Sequence, residues 1–298
     1  MMNTKLIDTH AHLYWPDYKD DLDEVVKRSL ENGVTTIINV GVDVEKSKVA
    51  LKQVQETKWP PGITTYSTIG IHPHEALRFA SLTQGKLSDV DVSIHKDIEK
   101  LEEIYRNASE KVVAVGECGL DYYLDRNDIY PDIILPHDQI KALQRQLFQA
   151  QIDLAKKLNL PLIVHCRDDR SQDPENSEAW DEVLKMVGTH SAILHCYSGL
   201  SHTTNYILRT TNLLVSFAGT ITYPKNDYLR AAAKMLPLEK IVLETDCPFL
   251  PPQSKRGQRN EPANVLEIAQ LIADIKQLSF DEVANQTTIN VKNILKLK

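Results

Sequence analysis

Cysteine is scarce in this 298-residue chain, with four in all, and no two stand at the C-x-x-C spacing of a redox or zinc motif. That argues against a disulfide-framework domain and fits a reducing compartment, so a cytoplasmic location is expected. No apolar run approaches the roughly 20 residues that a membrane span needs. The start, Met1-Met2-Asn3-Thr4-Lys5, passes straight into a strand-like run, so no secretory leader is expected either. Glycine is sparse, at 11 residues. No G-x-G-x-x-G or G-x-x-x-x-G-K-[ST] loop is present, which removes the usual mark of a doubly wound nucleotide-binding sheet. Basic residues are not in excess: 34 Lys and Arg against 41 Asp and Glu give a net charge of −7. That balance speaks against a protein that coats duplex DNA through a broad basic face. It leaves room for a nucleic-acid enzyme, because bound divalent cations put positive charge where a phosphate must sit.

What the chain does have is an alternation of short β-type runs and helix-period runs, without repeats or Gly/Ser linkers. The strands expected are Lys5–Thr9, Thr35–Val40, Thr64–Gly70, Val112–Glu117, Leu162–His165, Ala192–His195, Leu213–Phe217 and Ile241–Thr245. Helices are expected over Asp20–Asn32, Ile94–Asn107, Pro136–Asn159, Ser177–Val187, Thr203–Thr210, Asn226–Met235 and Ala263–Lys276, with a last one opened by the capping box at Ser279 and Glu282. Residues Arg78–Ser93 and Asp168–Glu178 read as extended loops. Strand then helix, repeated eight times in this length, is the arithmetic of a single-domain α/β (β/α)₈ TIM barrel.

Four of the strands end alike, at Gly116-Glu117-Cys118, His165-Cys166, His195-Cys196 and Thr245-Asp246-Cys247. Adjacent side chains on a strand point to opposite faces. If Glu117, His165, His195 and Asp246 face one centre, all four cysteines face away as small packing residues. The first strand ends in Asp8-Thr9-His10-Ala11-His12, and histidines two apart can chelate one ion. Asp8, a layer deeper, is expected either to support the ligands or to be a polar residue of the barrel interior. Only a closed ring brings these strand ends to one point.

Six ligand-type residues exceed what one tetrahedral ion needs, so two divalent ions (Mg²⁺, Zn²⁺ or Mn²⁺) are expected. His10, His12, Glu117 and Asp246 would surround the first, and Glu117, His165 and His195 the second. Such a pair activates a water, which Asp246 would orient and deprotonate, so the expected chemistry is metal-assisted hydrolysis. His72, in Gly70-Ile71-His72-Pro73-His74, is a candidate contact to the reacting group, while His74, after the proline, is as readily a surface residue as a site one. Loops after the last strands of such barrels often bind phosphate, which singles out Arg256 and Arg259; Arg167 and Arg170, just past His165, are similar candidates. His95, His137, His190 and His202 read as surface residues.

These segments, together with Gln144-Arg145-Gln146-Leu147-Phe148, Asp121-Tyr122-Tyr123, Tyr197-Ser198-Gly199 and Asn260-Glu261-Pro262, resemble the TatD family of metal-dependent deoxyribonucleases among the amidohydrolase-like TIM barrels. The likeness runs nearly the whole chain, and the order His-x-His, Glu, His, His, Asp is that family's metal set. It implies Mg²⁺- or Zn²⁺-dependent hydrolysis of DNA phosphodiesters, often from the 3′ end of single strands, and a carboxylate at Glu117 where some relatives use a carboxylated lysine. The expected partner is therefore single-stranded DNA, the expected state a monomer or weak oligomer. Two alternatives stand beside it: an amidohydrolase acting on a small amide, lactone or aminoacyl ester, which would turn such substrates over faster than oligonucleotides, and a non-enzymatic quality-control scaffold, which would hydrolyse nothing.

Overall fold

The computed structural model describes residues 5–82, 87–125 and 135–297. Its strands are β1 (Leu6–Ala11), β2 (Val34–Asn39), β3 (Thr64–Ile69), β4 (Val112–Asp121), β5 (Leu162–Arg167), β6 (Ala192–Leu194), β7 (Leu213–Phe217) and β8 (Ile241–Leu243). They pair in chain order, every pair parallel. The ring closes between its first and last strands through the parallel bridge of Ala11 with Cys247. Around it lie α1 (Leu22–Glu31), α2 (Val44–Glu56), α3 (Ala76–Leu82), α4 (Leu87–Asn107), α5 (His137–Leu158), α6 (Glu178–Val187), α7 (Ser201–Leu208), α8 (Asp227–Met235), α9 (Val265–Lys276) and α10 (Phe280–Ile294). The chain is a TIM barrel, as the strand–helix arithmetic predicts.

Local chemistry fixes the helix ends. The expected capping box opens α10, with Ser279 accepting from the Glu282 N–H while the Glu282 carboxylate takes the Ser279 N–H. Asp43 caps α2 by accepting from the Lys46 N–H at 2.7 Å, a bond worth about 1 kcal/mol. α5 ends on Asn159 in the left-handed region, two residues before Pro161. Two differences from the sequence expectation concern helices. α2 is absent from the sequence expectation, because two of the five residues on its buried face, Ser47 and Ala50 beside Val44, Leu51 and Val54, are small or polar. The Arg78–Ser93 stretch is α3 and the start of α4 rather than a loop, with residues 83–86 outside the described part. The 168–177 segment is a loop, as expected.

The apolar residues divide into two layers. Ile7, Ile38, Val40, Val113, Ala114, Ile163, Ile193 and Val242 fill the barrel interior and are closed from below by Val291 of α10 and Leu295 just past its end. Leu6, Leu162, Val164, Leu194 and Leu243 belong to the larger cluster between barrel and helices. Cys118, Cys166 and Cys247 join that outer cluster, so they face away from the barrel axis as alternation predicts. Cys196 does not. Its φ is +42° and it is half-buried beyond the end of β6, so strand alternation no longer governs it.

Candidate metal centre and active site

Alternation above the interior apolar layer explains most of the site. On β5, β6 and β8 the inward residues Ile163, Ile193 and Val242 are followed two positions later by His165, His195 and Glu244. Beyond β8, Asp246 sits at φ +57° and its N–H donates to the His10 carbonyl at 2.8 Å, which locks it beside β1. The two remaining ligand strands need a break in alternation, and both have one. The pairing register shifts between Asp8 and Ala11 on β1 and between Val115 and Cys118 on β4. Such irregularities re-aim side chains near active sites, and here they flank His10 and Glu117.

Glu117 is the hub. Its Oε1 lies 3.0 Å from His165 Nδ1, 3.3 Å from His195 Nε2 and 3.4 Å from His72 Nε2, and its Oε2 lies 3.4 Å from His10 Nε2. On the β1 side, His10 Nε2 and His12 Nε2 are 3.2 Å apart, and Asp246 Oδ1 is 3.7 Å and 3.4 Å from them. The expected ligands His10, His12, Glu117, His165, His195 and Asp246 therefore converge, with His72 among them. Sets of mutually close ligand atoms include His10, His12 and Asp246, and also His72, Glu117 and His165.

Partners behind the ligands orient them. His12 Nδ1 donates to the Val40 carbonyl at 2.8 Å, which leaves the Nε2 lone pair directed at the centre. His195 Nδ1 donates to Glu244 Oε1 at 2.9 Å, the carboxylate–imidazole pairing usual behind a metal ligand. Asp121 Oδ2 lies 3.0 Å from His165 Nε2 and 2.9 Å from His74 Nε2, while Gln144 of α5 clamps the Asp121 main chain from both sides at 2.8 Å. The sequence reading assigned no role to Glu244 or Asp121. The signal for Glu244 is its place two residues after the inward Val242. Of the two places open to His74 it takes the site edge, whereas His190, expected at the surface, is half-buried, its Nε2 bonded to the Leu160 carbonyl at 2.8 Å. Asp8 takes the supporting one of its two expected places: it accepts from the His10 and Thr245 N–H groups and the Thr245 hydroxyl, tying β1 to the segment after β8. The carboxylate one layer below the ligands is Glu244.

The electrostatics fit cations. Burial opposes charge on Glu117, yet the His72, His195 and His10 imidazoles outweigh it and hold the carboxyl well below its usual range. Burial likewise lowers the basicity of His165, but the Asp121 and Glu117 carboxylates overcome it and lift the imidazolium to about 9. Carboxylates crowded enough to draw protons onto buried imidazoles form a donor set suited to divalent ions. His10 Nδ1 and Glu244 Oε2 are also buried without a hydrogen-bond partner.

Glycine is required at one point of close approach. Gly119 has φ +138°, and a Cβ there would lie 2.0 Å from the His165 carbonyl oxygen. Gly119→Ala is expected to push the β5 ligand out of line, lowering both thermal stability and bound metal; unchanged metal content with a native melting temperature would contradict this tight β4–β5 contact.

The arginines separate. Arg167 lies over the Tyr123 ring at 4.4 Å and Arg256 over the Tyr223 ring at 4.5 Å. Arg170 bonds the Ser198 carbonyl at 2.8 Å and Asp168 at 3.3 Å. Arg259 departs from the expectation: both its terminal nitrogens bind Asp21, at 2.8 and 2.6 Å, and one also reaches Glu261 at 3.1 Å, which in turn takes Arg28. Its guanidinium is a strut between α1 and the last loop, already neutralised, and not a free phosphate contact.

Comparison with known proteins agrees with this geometry. The family model for TatD-related DNases matches residues 7–296. An uncharacterized metal-dependent hydrolase of Bacillus subtilis, YabD, is 33% identical over 98% of this chain and 99% of its own length. A 3′-5′ ssDNA/RNA exonuclease TatD of Erwinia amylovora is 30% identical over 98% of this chain and all of its own. The TatD homologue YjjV of Escherichia coli K12 superposes with a TM-score of 0.76 at 24% identity, covering 98% of both chains. Among the described residues no helix is long and apolar enough to cross a membrane. The chain belongs to the TatD-related DNase family and is a metal-dependent hydrolase.

Proposed function

We propose that this hydrolase cleaves phosphodiester bonds of DNA, removing nucleotides from the 3′ end of single strands, with two divalent ions at the Glu117 hub. The observation that carries the reading is one buried carboxylate surrounded by four imidazoles with a second carboxylate, Asp246, across the His10–His12 pair. His10, His12, Glu117 and Asp246 would hold one ion, and Glu117, His165 and His195 the other, with Mg²⁺, Mn²⁺ and Zn²⁺ all compatible with these donors. When bound, the ions supply Lewis acidity and lower the pKa of a water toward ~7.

The chain's own groups do the rest. Asp246 orients the attacking water and takes its proton on the carboxylate. His72 acts as a donor: its Nδ1 accepts the His74 N–H at 3.1 Å, so in the neutral ring the proton sits on Nε2, facing the centre. That N–H can hold a phosphoryl or leaving-group oxygen. In this reading Arg167 and Arg256, each laid on a tyrosine ring, bind the phosphates of the strand. The exonuclease relative from Erwinia amylovora supports the substrate class and polarity. The test is release of mononucleotides from a single-stranded oligonucleotide carrying an internal label and either a free or a blocked 3′ end. Metal-dependent release from the free end alone is expected; faster turnover of small amides or esters, with no cutting of oligonucleotides, would overturn it.

A further inference from the structure

Trp15 follows the candidate ligand His12 by three residues, and Phe249 follows Asp246 by three. A single turn fixes each: the Trp15 N–H donates to the His12 carbonyl at 3.0 Å and the Phe249 N–H to the Asp246 carbonyl at 2.9 Å. Their ring centroids are 5.7 Å apart with planes at 79°, so the two rings form a corner. The His12 ring closes that corner, 5.7 Å from Trp15 and 6.1 Å from Phe249. Lys46 Nζ stands 5.4 Å over the Trp15 ring, and Tyr14 packs beside it at 5.6 Å. Trp15 is thereby enclosed, while the Phe249 side is open.

Phe249 is 43% exposed, the only one of the five phenylalanines to be exposed. Scattered exposed apolar residues need no explanation. A flat ring held by a candidate metal ligand's own turn, against a second aromatic and 6.1 Å from the His12 ring, is a different matter. Nothing in the hydrolytic machinery uses it. We propose that Phe249, walled by Trp15, is a stacking platform for a nucleobase in the last two nucleotides of the bound strand. The proposal rests on the nuclease reading above and adds how the end of the strand is gripped. Stacking is indifferent to base identity, because every base offers a π face, so the platform implies tolerance of all four bases and intolerance of a missing one.

The test pairs an intact oligonucleotide with one that is abasic at its last two positions. Wild-type protein is expected to show a KM about tenfold higher on the abasic strand, the scale of one lost stacking contact, with kcat changed less than about threefold. Phe249→Ala is expected to raise KM on the intact strand by a similar factor and to erase the difference between the strands. Phe249→Leu, which keeps apolar bulk but no flat face, is expected to behave as the alanine variant does. A wild-type ratio of intact to abasic KM preserved in both variants would overturn the proposal. A second readout needs no turnover: dAMP should quench the Trp15 fluorescence, deoxyribose 5-phosphate should not, and Trp15→Phe should remove the quench. Equal response to the two ligands would also overturn it. Failure of the wild-type protein to cut any oligonucleotide would instead remove the nuclease reading, and the quench would then test the platform alone.

Discussion

Glu117→Gln is expected to release most of the bound metal and to reduce hydrolysis by at least about a thousandfold. The reason is that this one side chain faces four imidazoles with two oxygens, each within 3.4 Å of a ring nitrogen. Glutamine keeps the volume but offers one acceptor oxygen and one N–H₂ group. The N–H₂ would point at nitrogens whose lone pairs the cations need, and the charge that offsets the cations would be gone. Elemental analysis of purified variant and wild type, alongside oligonucleotide hydrolysis with Mg²⁺, Mn²⁺ or Zn²⁺ added, measures both effects. Full metal content and full activity in the variant would place the centre elsewhere.

Asp246→Asn is expected to separate the two effects. Asp246 lies at φ +57°, a conformation that asparagine adopts at least as readily as aspartate, so the fold and the N–H bond to His10 should persist. Three other ligands would still surround the first ion, so metal content should fall far less than in Glu117→Gln. What disappears is the carboxylate that receives the proton of the attacking water. A general base contributes about a hundredfold to ten-thousandfold, so kcat should drop by that range while KM changes little. The check is steady-state kinetics at saturating metal. A variant with wild-type kcat would assign the proton to another group.

The strands and the ligands were readable because they share one signature: an apolar run that ends on a group able to bind a cation. Five strand ends with that signature cannot be satisfied by separate buried polar residues, so convergence follows from the cost of burying uncompensated charge. The groups that aim the ligands were harder to read. Glu244 and Asp121 look like any carboxylate near a strand end, and only the inward position of Val242 shows that Glu244 must lie beneath Asp246. The register of β1 shifts between Asp8 and Ala11, which no periodicity in five residues could reveal, so the sequence left the place of Asp8 open between two alternatives. The same limit applies to Cys196, whose left-handed backbone beyond β6 leaves it out of the outer cluster that its three counterparts join. Arg259 was misjudged for another reason: its carboxylate partner Asp21 lies more than two hundred residues away in the chain, where it is brought back by barrel closure.

The account stands on a closed ring that carries cation ligands to Glu117. Anomalous scattering at the metal absorption edge, from crystals grown with Mn²⁺ or Zn²⁺ and a nucleotide monophosphate, tests it most directly. The expected map has two peaks flanking the Glu117 carboxylate, roughly 3.5–4 Å apart, one on the His10–His12–Asp246 side and one toward His165 and His195. Strong peaks at other sites, with none beside Glu117, would contradict it.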